Sequence, residues 1–129
     1  MRGKITTSGF DEYLERIQKA GRDIDAAIHE ALKDGGAVAI EGMHRRVPKD
    51  TLNLENHLEA TEPQQDGNYS FVLVGISKRA NAETARYGYA QEFGTSSMQG
   101  HPYIRPTMDE DRAKIRAAIR KSLVESGKI

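Results

Sequence analysis

From Phe10 onward, apolar residues recur at spacings of three and four: Phe10, Tyr13, Leu14, Ile17, Ala20, Ile24, Ala27, Ile28, Ala31 and Leu32. This period lays one apolar stripe along a helix. Thr7 or Ser8 stands where a cap is needed, and Asp11 and Glu12 suit the positive end of the helix dipole. Beyond Lys33 the stripe continues through Val38 or Ala39, Met43 and Val47. Gly35 and Gly36 interrupt it, at about 1 kcal/mol each relative to alanine. They either break the segment or kink a single helix. The stripe keeps its phase across them, which favours one helix over residues 10–47, about 57 Å long. Residues 1–9 are expected to be flexible. A helix of that length in so short a chain cannot bury its whole stripe against its own residues, which points to a partner.

Val47-Pro48-Lys49-Asp50-Thr51 ends the helix, because proline biases Val47 away from helical ψ and Asp50 with Thr51 favours a local turn. Tyr69 to Ile76 (YSFVLVGI) is the strongest strand, aromatic and β-branched with nearly continuous hydrophobicity. Residues 52–77 read as a hairpin, with arms 54–62 and 69–77 around Asp66-Gly67-Asn68; Asn56, His57 and Glu59 weaken the first arm. Ala80 to Phe93 forms a short helix or a loop around one helical turn. Residues 94–101 form a polar, mobile loop, and His101-Pro102-Tyr103-Ile104-Arg105-Pro106 is too rich in proline for a central strand. A last helix is expected over 107–126. Thr107 caps it, Asp109, Glu110 and Asp111 open it, Arg116, Arg120 and Lys121 lie towards its end, and Met108, Ile115, Ala118, Ile119 and Leu123 form its apolar face. The whole chain, 1–129, reads as a single α+β domain: a long N-terminal helix, a small antiparallel sheet built on a β-hairpin, and a C-terminal helix packed on the sheet.

The 129 residues include no cysteine and no tryptophan, and 19 Lys plus Arg balance 19 Asp plus Glu. Without cysteine there is no disulfide framework, thiolate zinc site or cysteine nucleophile. No apolar run is long enough to span a membrane, and residues 1–7 lack the apolar core of a secretory leader, so a cytosolic site of synthesis and no membrane contact are expected. Zero net charge removes the usual electrostatic argument for nucleic acid. His29, His44, His57 and His101 show no metal-site spacing, and no P-loop, dinucleotide fingerprint or nucleophile elbow is present. No cofactor, metal or small-molecule substrate is therefore expected.

Three weaker possibilities stand beside this. Gly94 and Gly100 flank a Ser/Thr loop, but without the lysine and helix of a phosphate cradle it reads as a surface loop. Glu92 and His101 make an acid–base pair only if the fold brings them together, as a small hydrolase requires. Arg112, Lys114, Arg116, Arg120 and Lys121 on the last helix offer a nucleic-acid surface, though no aromatics are interleaved and acids stand nearby. Tyr87 and Tyr89, flanking Gly88, read as packing or interface residues. An assembly component fits this profile better than an enzyme.

Tyr89-Ala90-Gln91-Glu92-Phe93-Gly94-Thr95, then a short loop carrying Met98, then Pro102-Tyr103-Ile104-Arg105-Pro106 opening the last helix, resembles the head–tail connector family of long-tailed bacteriophages, also labelled tail completion or minor tail proteins. Val47-Pro48-Lys49-Asp50-Thr51 resembles the segment ending that family's first helix, although Leu52 stands where glycine is usual, and Gly100-His101 also departs from the pattern. The order of elements extends the resemblance over nearly the whole chain. It implies a structural, non-catalytic protein that completes the tail and joins it to the DNA-filled head. The implied partners are its own copies in a ring, expected to be sixfold, the tail-tube and head-connector proteins, and genomic DNA in passing. Its place would be the virion neck, after assembly in the host cytoplasm. On this resemblance Glu92, Phe93 and Gly94 fix the base of the loop: Phe93 as a core anchor, Gly94 as a positive-φ turn, and Glu92 as a pairing partner for Arg105.

Overall fold

A computed structural model describes residues 2–48 and 52–128, Leu52 and Asn53 by their backbone alone. The Lys49-Asp50-Thr51 turn lies outside the described residues. Strand β1 (Arg2–Thr6) precedes helices α1 (Asp11–Lys19), α2 (Ile24–Arg46) and α3 (Leu52–Asn56). Strands β2 (Leu58–Ala60), β3 (Gln64–Asp66) and β4 (Tyr69–Ile76) follow, then helices α4 (Ala82–Phe93), α5 (Ile104–Glu110) and α6 (Arg112–Ser126). The α+β class and the antiparallel sheet are as the sequence indicated.

β4, the most hydrophobic strand, is the centre of the sheet, antiparallel to β1 on one side and to β2 and β3 on the other. Register places Ile5 opposite Val72 and Ala60 opposite Val74, so alternate residues share one buried face. β2 and β3 are two stretches of one hairpin arm. Thr61 continues the arm, donating its N–H to the Leu73 carbonyl at 2.8 Å, and Pro63, which has no N–H to donate, lies in the gap before β3. The expected first arm is thus shorter than 54–62: residues 52–56 form α3 instead, where Glu55 meets His44 of α2 at 3.2 Å. The expected flexible start is corrected too. Arg2–Thr6 has a single strong apolar residue, but β4 offers it an edge, and Ile5 is buried there.

The expected helix over 10–47 is two helices, and the break is not at Gly35-Gly36. α1 ends in a Schellman arrangement at Gly21 (φ 74°): Gly21 N–H reaches the Gln18 carbonyl and Arg22 N–H the Ile17 carbonyl, at 3.0 and 3.1 Å. Asp23 then caps α2 by accepting from Ala26 N–H at 3.1 Å. The start of α1 carries no side-chain cap; Phe10 holds that position, not Thr7 or Ser8. α2 continues unbroken through Gly35 and Gly36, and both are close-approach positions. A Cβ on Gly35 would stand 2.9 Å from Ile119 Cγ1 of α6, and one on Gly36 3.1 Å from Ala60 Cβ of β2.

α2 is consequently the middle layer, with the sheet on one side and α6 on the other. Its Ala31, Leu32, Ala39 and Met43 are fully covered by the chain itself, while Ile24, Ile28 and Val38 of the same stripe are half-buried. The final helix is also divided. α5 begins at Ile104 and reaches β1, with Met108 against Gly3, while α6 lies mainly on α2 rather than on the sheet. Thr107 is inside α5, where its hydroxyl donates to the Tyr103 carbonyl at 2.7 Å, and is not a cap. Among the described residues no helix is long and apolar enough to cross a membrane.

Candidate functional site

α4 starts at Asn81, whose side chain accepts from Thr84 N–H at 2.7 Å. Its burial is inverted relative to polarity. Thr84, Gly88, Gln91 and Glu92 face inward, while Tyr89 is 56% and Phe93 50% exposed. On this inward face the Glu92 side chain serves the backbone of the next segment. Glu92, only 4% exposed, accepts from the N–H groups of Tyr103 and Ile104 through Oε1, at 2.9 and 2.7 Å, and from Arg105 N–H through Oε2 at 2.9 Å. A carboxylate here satisfies the orphan amides that open α5 and meets the positive end of its dipole. This explains why α5 starts at Ile104 instead of at the expected 107. Pro106 is tolerated because it falls in the first turn, where no helical N–H is required.

Glu92 therefore pairs with the backbone of Arg105 and not with its guanidinium. Arg105 instead places its guanidinium 5.8 Å from the centroid of the Phe93 ring. Phe93 is not a core anchor. Tyr103 has that role: fully buried, it donates its hydroxyl to the Gly88 carbonyl at 3.1 Å, and burial, then the nearby Glu92 charge, push its ionisation above the ordinary tyrosine range.

The loop between α4 and α5 is tied at its base. Gly94 has the expected positive φ, 75°, and its N–H reaches the Ala90 carbonyl at 2.7 Å. Gly94 and Gly100 lie close enough that a Cβ on Gly100 would stand 2.7 Å from Gly94 N, and His101 N–H reaches the Gln91 carbonyl at 2.6 Å. Within the loop Thr95 N–H donates to the Met98 carbonyl at 2.8 Å. Thr95, Met98, His101 and Pro102 are all exposed. The result is a ridge in which the Tyr89 and Phe93 rings lie 4.8 Å apart, with Arg105 beside Phe93 and Met98 on the neighbouring loop.

Both Glu92 oxygens are committed to amides, and no hydrogen bond joins Glu92 to His101 among the described residues. No three His, Asp or Glu side chains among the described residues converge as metal ligands. Sequence reasoning missed a second polar centre. Asp111, buried between α5 and α6, accepts from Arg46 Nη1 at 2.8 Å and Nη2 at 3.1 Å, and from Arg45 Nη2 at 2.7 Å. The hydrogen bond from Arg46 lowers the Asp111 pKa most, and it is joined by the charges of Arg46, Arg45 and Lys114 against the opposing effect of burial. The available signal was an Arg-Arg pair at one helix end and three consecutive acids further along. Comparison with protein-family models, curated proteins and solved structures gives no match for this chain.

Proposed function

We propose that this chain is a structural joining protein of a long-tailed bacteriophage, which completes the tail and connects it to the DNA-filled head without catalysis. The observation that carries the reading is the Tyr89–Phe93–Met98–Arg105 ridge: apolar and cationic side chains exposed on a base held rigidly by the buried Glu92 carboxylate. Aromatic and arginine side chains on a fixed support are what protein interfaces use as anchors. In this reading the copies form a ring, sixfold to match the tail, which contacts the tail tube on one side and the head connector on the other. The protein would act in the virion neck after assembly in the host cytoplasm, with genomic DNA a passing contact.

The test is electron microscopy of lysates from the parent phage with this gene deleted. Full heads beside unattached tails are expected, and normal joined virions would remove the reading. In that event the exposed Arg112, Lys114, Arg120 and Lys121 of α6 make DNA binding the next reading, marked by affinity that falls steeply with salt.

A further inference from the structure

Two surfaces of this chain are complementary and lie on different elements. The first is the ridge of Tyr89, Phe93 and Arg105, with Arg86 exposed one turn earlier on α4. The second is a groove of about 420 Å³ between α2 and α6, floored by Ala37, Val38 and Ala118 and rimmed by the exposed acids Glu30 and Asp34. Lys121 and Glu125 complete that rim, and Glu125 is paired with Lys128 at 2.9 Å. Arg86, Arg105, Glu30 and Asp34 make no ion pair among the described residues. The ridge is therefore apolar with two unpaired cations, and the groove is apolar with two unpaired anions, Glu30 and Asp34, against the single cation Lys121.

We propose that the ridge of one copy docks in the α2–α6 groove of a second copy, the rings over the small floor residues and Arg86 and Arg105 against Glu30 and Asp34. Aromatic anchors supply contact area, while facing opposite charges set orientation and partner choice. Because the two patches differ, the contact is heterologous: in a pair one copy keeps a free groove and the other a free ridge, so the arrangement propagates, and it closes as a ring when the rotation between copies closes. The interface rests on the ring-forming reading and names the surfaces that such a ring would use.

The absence of cysteine makes the contact directly testable. Ala90→Cys labels the ridge and Ala37→Cys the groove. Mixed at high concentration under mild oxidation, the two variants are expected to form heterodimers well above the proportion random collision gives, and the double variant a ladder of multimers. Arg86→Glu with Arg105→Glu in the ridge variant should cut the heterodimer by about tenfold or more. Glu30→Arg with Asp34→Arg in the groove variant should restore it. Random proportions, or no restoration by the charge swap, overturn the interface. Joined particles rebuilt with the cysteine variants but lacking the crosslink also overturn it, while leaving the joining role intact. A specific crosslink in a protein whose deletion leaves virions normal supports the interface and removes the joining role.

Discussion

Glu92 and Arg105 meet through the backbone and not through their charges: the carboxylate takes the Arg105 N–H at 2.9 Å, while the guanidinium lies over the Phe93 ring. The two residues therefore separate into a folding role and a surface role. Glu92→Ala leaves the opening amides of α5 without their acceptor and should cost about 2–4 kcal/mol. Arg105→Ala should change stability by no more than about 0.5 kcal/mol. Urea unfolding of the two variants checks this, and equal losses would contradict the separation.

Gly88 sits where α4 crosses the core. A Cβ there would run into Ile76 Cδ1 and stand 2.9 Å from both Leu54 Cδ1 and the Tyr103 hydroxyl. Gly88→Ala is expected to destabilise by about 1–3 kcal/mol through overpacking, despite alanine's better helix propensity. The urea midpoint should fall with an unchanged slope.

Acid should weaken the fold through Asp111, whose carboxyl is held below the ordinary range chiefly by its hydrogen bond with Arg46. The folded state binds this proton more weakly than the unfolded state. Its contribution is thus complete above the ordinary carboxylate pKa of about 3.9 and is lost as pH falls through the lower folded value. Melting temperatures measured from neutral pH downward should drop more steeply below about pH 4 for the wild type than for Asp111→Asn.

At the alkaline end the sign reverses for Tyr103, whose ionisation is raised by burial and by Glu92. The folded state keeps the phenol proton. Its contribution is present below the ordinary tyrosine pKa of about 10 and is lost as pH rises towards the folded value. Phenolate absorbance should show one tyrosine that ionises only on unfolding. Tyr103→Phe should flatten the alkaline loss at a cost of about 1 kcal/mol near neutrality.

The strands and helices with strong periodicity were legible in the sequence: β4 from its β-branched run, α1 and α2 from the apolar stripe, and α6 from its apolar face. Most of the differences share one cause, which is that tertiary contact overrode local preference. Gly35 and Gly36 look like breakers, yet they let α6 and the sheet approach α2, whereas the real break at Gly21 carried its own signal in the Asp23 cap. β1 exists because β4 has an edge to fill, and a single buried Ile5 does not announce that. At the site, the resemblance made Phe93 a core anchor and Glu92 a pairing partner for Arg105. The structure exchanges Phe93 with Tyr103, because the carboxylate must be buried to reach the amides that start α5. That need was invisible until α5 was known to begin at Ile104.

The joining role is tested most directly by mixing DNA-filled heads and tails from the gene-deleted phage with the purified protein and counting whole particles by electron microscopy. Joined, infectious particles are expected to appear in proportion to added protein, and far fewer with a Tyr89→Ala, Phe93→Ala variant that remains folded. Heads and tails that stay separate whatever amount of folded wild-type protein is added would contradict the role.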